Sequence, residues 1–130
     1  MPYLNKKTYD LDFRETGAKE RPGFFYVDDL LAETIQILNT KGYNTHVCCE
    51  GHYWDLGEVW LDIRFFDTVD LPSLPSFEGD DILFKDCRLK YCLGEWVAED
   101  MTIFEFTRKK TDLCEAIYEW ADTLPDNPLR

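Results

Sequence analysis

The segment Glu58–Phe66 constrains the fold most. In it Val59, Leu61, Ile63 and Phe65 alternate with Trp60, Asp62, Arg64 and Phe66. Successive side chains of an extended strand point to opposite faces, so a strict period of two means one face in the core and the other facing outward. Strands buried on one face only belong to antiparallel or mixed sheets. Such a sheet needs a second layer over its apolar side. Two stretches of helical period can supply it. Val27, Leu30, Leu31, Thr34, Ile35 and Leu38 mark one apolar stripe, with Asp28 or Asp29 as its N-cap and Gly42 as its left-handed stop. Leu113, Ala116, Ile117, Trp120 and Leu124 mark another over about 109–123, ended by Pro125.

Between the helices, further strands are expected at Thr45–Cys49, within Asp81–Cys92 and at Met101–Thr107. A loop is expected over 67–80, where Pro72, Pro75 and Gly79 fall. Leu93-Gly94-Glu95 reads as a turn. Residues 1–25 read as irregular, with a short strand or hairpin at Tyr9–Phe13. The expectation is one α+β domain over 1–130: a two-layer sandwich with an antiparallel or mixed sheet and two main helices.

Composition limits the partners. Hydrophobic residues make up 45% of the 130 and aromatics 15%, enough for a core. The formal net charge of −12 argues against nucleic acid and anionic membrane surfaces, whose affinity is built from Lys and Arg. The carboxylates are scattered, which favours a solubilising surface over an acidic mimic of DNA. With neither a membrane-length apolar run nor an apolar signal core near Met1, the expected location is cytoplasmic. Thiols stay reduced there, and five cysteines is an odd number for a disulfide framework.

Chemistry-bearing residues concentrate in Thr45-His46-Val47-Cys48-Cys49-Glu50-Gly51-His52-Tyr53-Trp54, which holds both histidines of the chain. Three readings compete. As a metal site, Cys49 and His52 have ligand spacing, and Cys87 with Cys92 is the only obvious second pair for zinc. A continuous strand through 87–92 would point those two apart, so this reading needs a bulge or turn between them. As an enzyme, Cys49 is the nucleophile and His52 its base, with the glycine turn aiming amides at an oxyanion. As a binding turn, Cys48, Glu50, Gly51, Tyr53 and Trp54 hold a small molecule without chemistry. The plain structural alternative puts Cys49 on the core face of the sheet, Cys48 on the other, and His52, Tyr53 and Trp54 on a loop. A fourth reading makes the chain an acidic accessory protein that binds another protein and presents a large exposed patch. A sheet edge pairing with its own copy would make a homodimer.

The pattern Leu38-Asn39-x-Lys41-Gly42-Tyr43-x-Thr45-x-x-Cys48-Cys49-x-Gly51-His52, with Glu119-Trp120-Ala121-x-x-Leu124-Pro125 near the end, resembles a group of small uncharacterised proteins of low-GC Gram-positive bacteria and their phages. The resemblance runs from about Tyr26 to Pro125. It implies a bacterial or phage-linked protein and assigns no activity. More distantly, the turn is similar to the Thr-x-Ser-Ser-Cys-Ser-Gly-Arg motif of the wybutosine-synthesis methyltransferase family. Thr45, Cys49 and Gly51 match it, Val47, Cys48 and Glu50 stand at serine positions, and His52 stands at the arginine. That similarity implies a shared turn geometry.

Overall fold

The computed structural model describes residues 3–5, 24–26, 29–66 and 69–128. In chain order the elements are β1 (Tyr3–Asn5), β2 (Phe24–Tyr26), a 3-10 turn (Asp29–Leu31), α1 (Ala32–Thr40), β3 (Thr45–Cys49), β4 (Glu58–Phe65), β5 (Ser76–Phe77), β6 (Asp80–Asp81), β7 (Leu83–Lys85), β8 (Arg88–Glu95), α2 (Val97–Asp100) and α3 (Ile103–Thr123). The expected hairpin at Tyr9–Phe13 and the expected cap Asp28 lie outside the described residues; Asp29, the alternative cap, opens the 3-10 turn instead, and Leu31 holds the N-cap position of α1.

The main sheet has four antiparallel strands in the order β3-β4-β8-β7. Val59, Leu61, Ile63 and Phe65 of β4 are buried, as the alternation requires. Leu89 and Leu93 of β8 join them, and Leu31, Ile35, Leu38, Phe106, Leu113 and Ile117 close the core from the helical layer. This is the expected α+β sandwich, and every strand pair among the described residues is antiparallel.

The pattern Leu38 to Thr45 is explained by how it ties the two helices and the sheet together. Gly42 has φ +92 and ends α1, with the Tyr43 N–H donated back to the Leu38 carbonyl at 2.8 Å. Asn39 is buried. Its amide donates to the Thr45 hydroxyl at 2.8 Å, and its oxygen accepts the Thr45 N–H at 2.9 Å, clamping the end of α1 to the start of β3. Lys41 Nζ donates to the carbonyls of Ala121, Asp122 and Leu124 at 2.9, 2.7 and 2.6 Å. A cation there satisfies carbonyls left open at the C-terminus of α3 and matches the negative end of its dipole. Tyr43 is buried and donates its hydroxyl to Pro125 O at 2.7 Å. Burial, and then the Asp126 carboxylate, push the Tyr43 phenol above its ordinary range, so it stays a donor.

Four local expectations need correction. Met101–Thr107 is no strand, because α3 already begins at Ile103. The Thr102 hydroxyl accepts the Glu105 N–H at 3.1 Å, while the Glu105 carboxylate accepts the Thr102 N–H at 3.0 Å. This reciprocal capping box overrides the short apolar alternation. Within 67–80, β5 pairs with β6 across Glu78 (φ +52) and Gly79 (φ +87), a two-residue type I′ turn. Leu93-Gly94-Glu95 is not a turn; β8 continues to Glu95, with a register shift opposite Val59 and Trp60. The fourth correction concerns β3. Thr45 pairs with Phe65 but Val47 pairs with Arg64, so His46 is an inserted residue. One extra residue inverts every later side chain.

Candidate functional site

The bulge at His46 decides where the cysteines go. Cys48 is opposite Ile63, whose side chain is in the core, and packs against that core. Cys49 is opposite Asp62, on the outer face of the sheet. The assignment read from unbroken alternation, Cys49 inward and Cys48 outward, is therefore reversed.

Glu50 and Gly51 follow, and both are buried. Glu50 Oε2 accepts the Leu30 N–H at 3.0 Å, which supplies an acceptor at the entrance to the first helical segment. Leu31, at the N-cap position of α1, makes no side-chain cap. Glu50 Oε1 takes Lys110 Nζ of α3 at 3.0 Å, and the same ammonium donates to Gly51 O at 3.1 Å. The side chains of this ion pair are only 11% and 13% exposed. Glu50 thus joins β3, the start of the helical layer and α3 at one point. Gly51 has φ +83, and a Cβ there would lie 2.9 Å from Leu93 Cδ1 and 3.2 Å from the Trp60 carbonyl oxygen. The residue is glycine for lack of room as well as for its backbone angle.

The turn then reaches the surface. His52 is exposed; its N–H is donated to Asp55 Oδ2 at 3.1 Å and its carbonyl accepts the Asp55 N–H at 3.0 Å. Tyr53 donates its hydroxyl to Met101 O at 2.7 Å, with the Ala98 carbonyl at 3.4 Å. Its ring stands edge-on to Trp54 at 4.8 Å and is tilted against Phe106 at 5.6 Å. On the other side of the turn the Trp96 N–H is donated to Gly57 O at 2.8 Å. Segments 53–57, 96–101 and 102–106 are thereby fastened into one end of the molecule.

That end is apolar on its outside. Trp54, Leu56 and Phe104 are 74%, 83% and 82% exposed, and Trp96 and Ile103 about half. Leu56, Trp96, Ile103 and Phe104 are not marked as surface residues by the residue pattern. The available signal was the capping box, which places Phe104 nearly opposite Phe106 on α3 and so off the core stripe. Exposed carboxylates rim the patch: Asp55, Glu58, Glu95, Glu99, Asp100 and Glu105. Glu58 and Glu95 are directly paired across β4 and β8, an unfavourable juxtaposition of like charges. Hydrogen bonds from the Thr102 backbone and then its side chain hold the Glu105 carboxyl below the ordinary carboxylate range.

The four expected zinc ligands are dispersed. Cys87 occupies a type I′ turn with Asp86, at φ +60 and +53 respectively, at one end of β8. Cys92 lies on the outer face opposite Trp60, and its thiol is 3.6 Å from the Gly94 carbonyl. Five residues of chain place the two about 16 Å apart. Cys49 is on the far side of β4 from Cys92, and His52 is in the exposed turn. No three His, Cys, Asp or Glu among the described residues gather as metal ligands. No described helix is long and apolar enough to cross a membrane. Comparison of the chain with protein-family models, curated proteins and solved structures returned no match.

Proposed function

We propose that this chain works by binding another protein through its acid-rimmed aromatic end. The observation that carries the reading is the exposure of Trp54, Leu56 and Phe104 on segments pinned by the Tyr53, Trp96 and Thr102 hydrogen bonds. A rigid patch of Trp, Leu and Phe exposed to water resembles the anchor cluster of an interface, where large aromatics contribute most of the binding energy. Rigidity lowers the ordering cost of docking. The rim sets the partner's chemistry. A segment with apolar anchors flanked by Lys or Arg would neutralise the Glu58–Glu95 pair and the α2 carboxylates.

The test uses two synthetic amphipathic helical peptides of equal length, one Leu/Lys and one Leu/Glu, titrated into the full chain with tryptophan emission as readout. The Leu/Lys peptide should saturate a blue shift that Trp54→Phe reduces and Phe104→Ser weakens at least tenfold. No shift with either peptide, or an equal response to both, removes the proposal.

The small-molecule reading of the turn loses two of its contributors, because Glu50 and Gly51 are committed to holding the layers together. The nucleophile reading is separable by chemistry. Protein docking asks nothing of Cys49, so iodoacetamide at neutral pH should modify Cys49 no faster than Cys92. Fast, selective labelling of Cys49 would favour the enzyme.

A further inference from the structure

One end of the outer face of the main sheet gathers positive charge, while the Glu58–Glu95 pair lies at the other end of β4 and β8. Arg64 of β4 pairs with Arg88 of β8, and Arg88 pairs with Lys85 of β7. Three cations therefore stand in one row across three neighbouring strands, separated by about 5 Å per strand. Lys90, two residues along β8, lies on the same face opposite Asp62. These four are half of the lysines and arginines among the described residues of a chain whose net charge is −12. Among the described residues, Asp62 is the carboxylate bonded to this group. Its Oδ2 accepts from Arg88 Nη2 at 2.7 Å and from Arg64 Nε at 3.4 Å. Asp86, in the turn between β7 and β8, is exposed. Arg64 and Arg88 keep side-chain exposures of 43% and 35%, and Lys85 is exposed. Lys90 Nζ lies 4.6 Å from the centre of the Trp60 ring.

Like charges directly opposite one another cost stability in a sheet. Salt bridges to one carboxylate oxygen do not neutralise a row of three. Lys85 on an edge strand has a use in preventing edge-to-edge pairing, but Arg64 and Arg88 are on the two central strands, where that use does not apply. From this row we infer that the sheet face binds a small phosphate ester carrying a diphosphate group. A lone carboxylate is too short to meet cations on three strands. Two linked phosphates present several acceptor oxygens at once, on which the long side chains of neighbouring strands converge, and guanidinium groups match them in charge and shape. Trp60 and the stem of Lys90, further along β4 and β8, offer a surface for the ester's organic part.

The site is on the sheet, apart from the aromatic end formed by the 53–57 turn and the α2–α3 segments, so the two proposals stand or fall separately.

The experiment is isothermal titration of the full chain with pyrophosphate, inorganic phosphate, ADP, citrate and a ten-residue oligothymidylate at low ionic strength. Pyrophosphate should bind saturably with Kd below about 1 mM, and inorganic phosphate and citrate at least tenfold more weakly. ADP should bind at least as tightly as pyrophosphate and change Trp60 emission, read against Trp60→Phe. The double variant Arg64→Gln/Lys85→Gln leaves the Arg88–Asp62 bond in place and should lose at least tenfold in pyrophosphate affinity. Arg108→Gln on α3 should lose nothing. If the double variant unfolds, Lys85→Gln alone, on an exposed edge position, should weaken binding at least threefold. Absence of saturable pyrophosphate binding, unchanged affinity in the variants, or equal binding of citrate overturns the inference. Oligothymidylate binding far tighter than pyrophosphate also overturns it, and would make the face a surface for single-stranded nucleic acid.

Discussion

Replacing Glu50 with alanine removes three things together: the acceptor for the Leu30 N–H, the anion facing Lys110, and the link between β3 and the helical layer. Breaking a buried ion pair from one side costs about 3–5 kcal/mol, because the remaining charge is left in a poor environment. Lys110 keeps the Gly51 carbonyl as a partner, and both side chains retain about a tenth of their exposure. The lower end of that range, about 3 kcal/mol, is therefore expected for Glu50→Ala. With a urea slope of about 2 kcal/mol/M, the unfolding midpoint should fall by about 1.5 M. Glu50→Gln preserves an oxygen for the Leu30 N–H and should lose about 2 kcal/mol, since the one neutral hydrogen bond it keeps is worth about 1 kcal/mol. The decisive quantity is the coupling in a double-mutant cycle with Lys110→Met, read from urea denaturation of the four proteins. A coupling of at least about 1.5 kcal/mol is expected. A Glu50→Ala loss within about 1 kcal/mol of zero, with no coupling, would refute the view that this carboxylate fastens the layers.

Gly51→Ala should cost about 2–3 kcal/mol, combining the left-handed backbone with the contact to Leu93. Gly57→Ala, also at positive φ but with nothing within 4 Å of the added carbon, should cost only about 1 kcal/mol in the same denaturation assay. Cys87→Gly should stabilise by about 1 kcal/mol, since the second central position of its type I′ turn is left-handed. A loss of stability there would instead point to a task for the thiol. Thr102→Ala should cost about 1 kcal/mol as a lost N-cap. Glu105 has a lowered folded-state pKa, so its contribution is complete above the ordinary carboxylate pKa and fades as pH falls through the lowered one. Stability measured from about pH 5 down to pH 3 should therefore fall less steeply in Glu105→Gln than in the parent chain.

The layers are legible in the order of residues alone. The alternation of Val59 to Phe65 and the stripes Leu31-Ile35-Leu38 and Leu113-Ile117-Trp120 are each periodic over several residues, and burial acts on that period directly. The helix stop at Gly42 and the strand Thr45–Cys49 were legible for the same local reason. What the Cys-Cys-Glu-Gly-His turn is built from depends instead on contacts between distant segments. One inserted residue at His46 exchanges the faces of Cys48 and Cys49, and nothing local to that segment marks it, because a bulge is fixed by the partner strand. The role of Glu50 depends on Lys110, sixty positions away, and that of Lys41 on carbonyls eighty or more away. Such pairings leave no periodic trace. The exposed aromatics and the cationic row were hidden in a similar way. An apolar or basic residue has the same letter whether the fold covers it or presents it, and only the packing of distant segments makes that choice.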